Sequence, residues 1–386
     1  MGLAPRSFVL PDLFSYCQYP LRTNVHCASV ARASEDWLLK DANFTAKRQA
    51  AFRRLHAGEL TAMCYPNADA TRLRDVADFL NFLFTLDDWS DEFSDQDTVG
   101  LAGNVMGAFW DPVGFTTQKA AGKLAKSFSG RFRGTAGLGC TRRFIETMDL
   151  FFRAVAQQAR DRARGDVPSL EEYIALRMDT SGCKPCFALI EYAAGIDLPD
   201  EVMAHPAIRA LEEAANSHIS WSNDIFSYDV EQARGDTHNM VEVVMRRHDF
   251  SLQAAVDYVG DLTNASIARF ESIRRSLPCW GEKIDKDVTL YVQGLQDWMV
   301  GALQWSFDSA RYFGNDGAAV KQHRVVILRP RMSATGRDQP NDALVHNRWA
   351  QFLMRCACIP TRVPRPGGSC PTSSPSHSFT RTWNDA

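Results

Sequence analysis

From Ala77 to Glu92 the chain reads ADFLNFLFTLDDWSDE, an apolar run with helical spacing that ends in a cluster of acidic residues. Residues four apart on a helix share a face, so Asp87 and Asp91 project together. Leu83 and Phe84 lie one turn below them and Leu80 two turns below, which sets two carboxylates at the rim of an apolar surface. Mg2+ takes oxygen ligands and is usually held by one or two carboxylates together with substrate phosphates and water. Taken alone, a DDxxD string reads first as an acidic helix end on a solvated face, so the rest of the chain has to decide its meaning.

The same periodicity runs outward in both directions. Long segments carry apolar residues at three- and four-residue spacing, and no series of period-two runs punctuated by Asn-Gly or Asp-Gly turns occurs. Helices are predicted over Glu35–Ala57, Asp69–Leu86, Arg142–Arg164, Leu170–Met178, His205–Val230, Leu252–Leu277 and Asp285–Phe307, flanked by Pro, Gly, Asn or Asp stops. The predicted fold class is all-α, with no internal repeat of solenoid length.

With 386 residues, 45% hydrophobic and 23% charged, the chain can bury a sizeable core and lacks the composition of a disordered protein. A net charge of −3 and a pI near 6.3 point to neither a nucleic acid nor an anionic membrane as partner. The N-terminal MGLAPRSFVLPDLF is broken by Pro5, Arg6, Pro11 and Asp12 and lacks the apolar core of a signal peptide. The apolar stretch from Val99 to Thr116 carries Gly, Asn, Asp and Pro and is too short to span a bilayer. A soluble cytoplasmic protein is expected, as a monomer or homodimer. The ten cysteines, without a secretory signal, fit reduced thiols better than a disulfide framework, and the single CxxC pair, Cys183 and Cys186, lacks the second pair of a zinc site. After Arg331 the chain has Arg but no Lys, three of the ten cysteines and runs of Pro, Ser, Thr and Gly. Residues 1–331 therefore read as one folded domain and 332–386 as a disordered tail.

A second polar string, NDIFSYDVE, places Asn223, Ser227 and Glu231 at i, i+4 and i+8. An amide oxygen, a hydroxyl and a carboxylate then line one helical face, drifting about 40° per step. Such a trio can chelate one Mg2+ and leave positions open for diphosphate oxygens. A polar stripe is more often solvated surface, and spacing without a partner site is a weak signal.

Together, DDWSD and NDIFSYDVE resemble the paired motifs of the class I terpene synthases, and within them the fungal, basidiomycete, sesquiterpene synthases. The resemblance covers most of Phe8 to Arg331. It implies a helical bundle with the active site in its core, where the two motifs face each other and hold three Mg2+ ions through Asp87, Asp91, Asn223, Ser227 and Glu231. Arg177, 46 residues before Asn223, looks like the family's diphosphate sensor, and Thr180, Ser181 and Gly182 resemble the segment that couples sensing to a helix break. Arg234 stands where the family has a diphosphate-contacting cation, and Arg311-Tyr312 resembles its Arg-Tyr pair near the C-terminus. Phe84 and Trp305 are candidates for an aromatic wall around a carbocation.

The implied activity is Mg2+-dependent ionisation and cyclisation of an isoprenoid diphosphate, farnesyl diphosphate being favoured and geranyl diphosphate a poorer alternative. Closure on binding the metal and diphosphate is expected, because water must be excluded before ionisation. An elongating prenyltransferase, which has two aspartate-rich motifs, and a protonating cyclase, which needs DxDD, fit the strings less well. The remaining rival is an impaired homologue that binds without turnover.

Overall fold

The computed structural model describes residues 6–42, 44–89, 95–164 and 167–331, with side chains defined over these ranges except at 87–89, 95–99, 159, 162 and 163. Asp91 and residues 332–386 lie outside the described residues. In chain order the elements are β1 (Ser7–Val9), α1 (Cys27–Ala42), α2 (Ala46–Arg53), α3 (Ala57–Cys64), α4 (Ala70–Trp89), α5 (Asp95–Trp110), α6 (Ala120–Thr135), α7 (Leu138–Arg164) and α8 (Leu170–Thr180). They continue with α9 (Cys183–Ala194), α10 (Asp200–Met203), α11 (Pro206–Arg234), α12 (Met240–His248), α13 (Leu252–Arg275), α14 (Glu282–Asp308), α15 (Gly317–His323) and β2 (Val325–Ile327).

The bundle is organised around α11, which starts with Pro206 at its first position after the His205 cap, where the missing N–H costs nothing. It packs along α13 and α14, while α14 also packs on α3 and α9, α1 on α4, and α7 on α8 and α9. Behind α4, the fully buried rings of Phe79, Phe109, Phe128, Phe132 and Phe144 interlock, with Phe79 and Phe144 edge to face at 5.0 Å. Each such ring withdraws enough apolar surface to contribute about 1.5–3 kcal/mol, which fixes α4 against α5, α6 and α7. Among the described residues no helix is long and apolar enough to cross a membrane.

Most predicted helices are present within a few residues of their expected ends, but the helix expected over 35–57 is broken twice. Thr45 caps α2 by accepting from the Arg48 N–H at 3.3 Å, and His56 takes a left-handed conformation (φ 54°) between α2 and α3. The carbonyls at that break find partners: Trp305 Nε1 donates to the oxygens of Leu55 (2.8 Å) and His56 (3.1 Å), the latter shared with Leu60 N, and Ala310 N donates to Arg54 O. Among the described residues the all-α class holds apart from one antiparallel pair, β1 with β2, in the register Ser7↔Ile327, Phe8↔Val326 and Val9↔Val325. Two three-residue strands more than 300 residues apart carry no local signal, since the pairing exists only once the bundle brings them together. Helices α5, α6, α9, α10, α12 and α15 are not among those predicted.

Candidate active site

A cavity in the bundle is walled by α3, α4, α7, α8, α9, α11 and α14 and by the loop after α11. On α4 its lining residues are Leu80, Leu83 and Phe84, the stripe that leads one turn further to Asp87 in the last turn of the helix. The side chain of Asp87 and the whole of Asp91 lie outside the described residues, so neither metal-ligand expectation can be followed there.

On α11 the lining passes from Ile219 and Ser220 to Asn223, Asp224 and Glu231. Ser227 lies between them on the same face and is 4% exposed, and its Oγ has no hydrogen-bond partner among the described residues. An unsatisfied buried hydroxyl costs about 1–3 kcal/mol. Glu231 Oε2 accepts from Asn239 Nδ2 at 2.8 Å. Amide, hydroxyl and carboxylate oxygens on one face, one of them unsatisfied, are a donor set that suits a hard divalent cation.

Arg177 reaches this face from the last turn of α8, a helix started by a capping box between Ser169 and Glu172. Its Nη2 donates to Asn223 Oδ1 at 2.8 Å and its Nε to Asp224 Oδ1 at 3.0 Å. Burial opposes the guanidinium charge, but Asp224, Tyr173 and Glu231 together outweigh it and raise the Arg177 pKa. The Asp224 carboxyl is itself raised by burial and held by three donors: Arg177, Tyr173 Oη at 2.5 Å and the Met240 N–H at 3.1 Å. Beyond Arg177, α8 stops because Gly182 adopts φ 73°, a conformation that disfavours any residue with a Cβ. Asn216 Nδ2 caps the released Met178 carbonyl at 2.8 Å, and Thr180, Ser181 and Gly182 turn into the cavity wall.

Opposite, Tyr312 is 4% exposed, and burial raises its pKa. Its hydroxyl accepts from Asn223 Nδ2. The Arg311 guanidinium lies 5.2 Å from the Phe84 ring centre and 5.6 Å from that of Tyr312. Phe84 stacks on Trp305 (5.5 Å, 29°), and Trp305 meets Tyr312 edge to face (6.1 Å, 85°), so the three rings form one continuous wall. Trp298 and Phe151 extend the apolar lining. Cys183 and Cys186 also lie in it as free thiols, that of Cys183 pushed up to about 11 by burial, which suits packing and not chemistry.

The fold thus brings together Arg177, Asn223, Glu231, Arg311, Tyr312, Phe84 and Trp305, with Ser227 on the same α11 face. Arg234, the last residue of α11, is half-buried and is not among the residues that line the cavity. Sequence reasoning missed Tyr173, although it precedes Arg177 by four residues and shares its face, and also missed the Asp236–His238 contribution to the wall. His238 packs its ring 4.9 Å from Tyr173, and Asn239, whose position before the apolar run MVEVV is a cap signal, ties α12 to Glu231.

Residues 78–269 match the model of terpene synthase family 2, C-terminal metal binding. Sesquiterpene synthase 1 of Postia placenta is 52% identical over 328 residues, covering 85% of this chain and 97% of the relative. The chain belongs to the terpene synthase family. An alpha-muurolene synthase of Coprinopsis cinerea is 50% identical to this terpene synthase, over 84% of its length and 78% of the relative's. The solved structure of a cucumene synthase variant superposes with a TM-score of 0.66 at 21% identity, covering 78% of this chain and 99% of that one. This terpene synthase therefore has the class I helical fold and, by its family, a metal-binding domain over residues 78–269.

Proposed function

We propose that this terpene synthase is a sesquiterpene synthase that ionises farnesyl diphosphate, cyclises the resulting cation and releases diphosphate. The observation that supports this reading best is the meeting of Arg177 and Tyr312, both bonded to Asn223, at one aromatic-walled cavity, with a buried unsatisfied Ser227 on the same Asn223–Glu231 face although not itself in the cavity lining. The relatives' names support a fifteen-carbon substrate.

Asn223, Ser227 and Glu231, with Asp87 and Asp91, are the residues that would hold Mg2+, three ions in all. Mg2+, when bound, supplies positive charge against the diphosphate leaving group. Arg177 and Arg311 carry permanent charge in a planar fork that matches diphosphate oxygens, and Arg234 adds a cation at the end of α11. Asn223 and Tyr312 hold each other at the junction of this charged end and the aromatic wall. Phe84, Trp305 and Tyr312 exclude water and offer ring faces to the cation. The catalytic domain ends at Arg331 with residues 332–386 outside it, and the enzyme acts in the cytoplasm as a monomer or homodimer.

The test is incubation of the purified chain with farnesyl diphosphate and Mg2+, with EDTA and Ser227→Ala controls, followed by mass spectrometry of volatile products. A metal-dependent cyclic sesquiterpene is expected, with turnover and Mg2+-dependent affinity for inorganic diphosphate both falling by about 10–100-fold or more in Ser227→Ala. Absence of diphosphate release from both farnesyl and geranyl diphosphate would refute the reading.

A further inference from the structure

Behind the face just described, the last described stretch of the chain makes a set of contacts that the reaction scheme leaves unused. The β1–β2 pairing is extended at both ends, by Leu10 N to Arg324 O at 2.7 Å and Leu328 N to Arg6 O at 2.8 Å, so the N-terminal segment holds the chain extended up to Leu328. Gln253 on α13 anchors the outer strand by bonding both the N–H (2.8 Å) and the carbonyl (3.0 Å) of Val9. Pro330 then restricts the residue before it to extended backbone.

That residue is Arg329. Its backbone N–H donates to Asp229 Oδ1 at 2.6 Å, its Nε pairs with Asp229 Oδ2 at 3.1 Å, and its carbonyl accepts from Gln232 Nε2 at 2.8 Å. Its Nη2 donates to the backbone carbonyl of Tyr312 at 3.3 Å. Asp229 and Gln232 are both buried on the same two turns of α11 that carry Ser227 and Glu231, but on the far side of the helix. One guanidinium thus ties the back of the metal-motif turn to Tyr312, while the Tyr312 hydroxyl is tied to Asn223 at the front. Asp229, Arg329, Tyr312 and Asn223 close a ring of contacts around α11.

We infer that Arg329 is a positioning residue: delivered by the terminal β-pair, it sets Tyr312 and the adjacent Arg311 against α11 so that the diphosphate-binding groups converge. The inference rests on the synthase reading but concerns a residue that touches neither the cavity nor a reacting atom. A fork is needed because one cation spans two acceptors on different elements, and a lysine ammonium reaches only one of them. Arg22 provides a matched comparison. It pairs with Asp297 at 2.7 Å with side-chain exposures of 32% and 7%, nearly those of Arg329 and Asp229 at 34% and 7%, yet it has no link to Tyr312.

The experiment compares the full chain with Arg329→Gln, Arg329→Lys and Arg22→Gln, reading thermal midpoint, titration with inorganic diphosphate in the presence of MgCl2, and kcat, KM and product profile with farnesyl diphosphate. Arg329→Gln and Arg22→Gln are expected to lose similar thermal stability. Only Arg329→Gln is expected to bind diphosphate about tenfold more weakly and to lose about tenfold or more in kcat, with more linear alcohol among its products. Arg329→Lys should keep the stability and lose the kcat. If Arg329→Gln behaves like Arg22→Gln in every assay, or if Arg329→Lys turns over as wild type does, the inference is overturned. Should Arg329→Gln not fold, the lysine variant decides alone. A wild type that releases no diphosphate from any isoprenoid substrate sinks the substrate reading, and the inorganic diphosphate titration then supports or overturns the role of Arg329 independently.

Discussion

Acidification should destabilise this protein through His218. The side chain is 1% exposed on α11, neither ring nitrogen has a hydrogen-bond partner among the described residues, and burial alone lowers its pKa from 6.5 to about 4. The folded protein therefore keeps His218 neutral while the unfolded chain protonates it. As pH falls below 6.5 the unfolded state gains a proton that the folded state refuses, and stability declines until about pH 4, where the fold accepts it too. At 1.36 kcal/mol per pH unit the full loss is about 3 kcal/mol, and about 2 kcal/mol of it is reached between about pH 7.5 and pH 5.

Several carboxyls, Asp224 among them, work in the opposite sense. Asp78 and Asp297 are pushed up to about 6 and Glu212 to about 7, chiefly by burial, so the fold takes up their protons before the unfolded chain does. The raw pH dependence mixes these contributions, and the difference between wild type and His218→Leu isolates the histidine. Urea unfolding at both pH values should show wild type losing about 2 kcal/mol more than the leucine variant on acidification. An equal loss in the two proteins, within about 0.5 kcal/mol, would show that His218 is hydrated or paired and refute the argument.

Tyr173→Phe removes the 2.5 Å hydrogen bond to Asp224 Oδ2 and should cost about 1.5–3 kcal/mol in denaturant unfolding, as for other bonds to buried carboxylates; a loss below about 0.5 kcal/mol would mean that Asp224 does not need the phenol. Gly182→Ala places a Cβ 3.6 Å from Leu83 Cδ2, an ordinary contact, so its cost should be the backbone strain of φ 73° alone, about 1–2 kcal/mol by thermal unfolding. A neutral result there would indicate that the α8–α9 break relaxes out of the left-handed region.

The α11 motif was legible in the sequence because helical geometry makes spacing into position: Asn223, Ser227 and Glu231 share a face on any straight helix. The same holds for Leu80, Leu83 and Phe84, which line the cavity as the α4 periodicity requires. The resemblance added Arg177, Arg311, Tyr312 and Trp305, and all four line the cavity. Arg234 does not: seven positions after Ser227 it keeps to the same side of α11, but it is the last residue of the helix, almost a turn beyond Glu231, the last α11 residue to line the cavity.

What the sequence alone determined is therefore what repeats at short range: the helical class, most helix positions, the donor types on α11 and the apolar stripe below Asp87. The break at His56, the seat of Trp305 on the carbonyls beside it, the three donors on Asp224 and the Arg329 contacts were decided only in the tertiary structure. Apart from the break itself, these contacts join residues from 16 to 250 positions apart, and a hydrogen bond of that kind depends on where two helices or chain ends are packed, which no local propensity encodes.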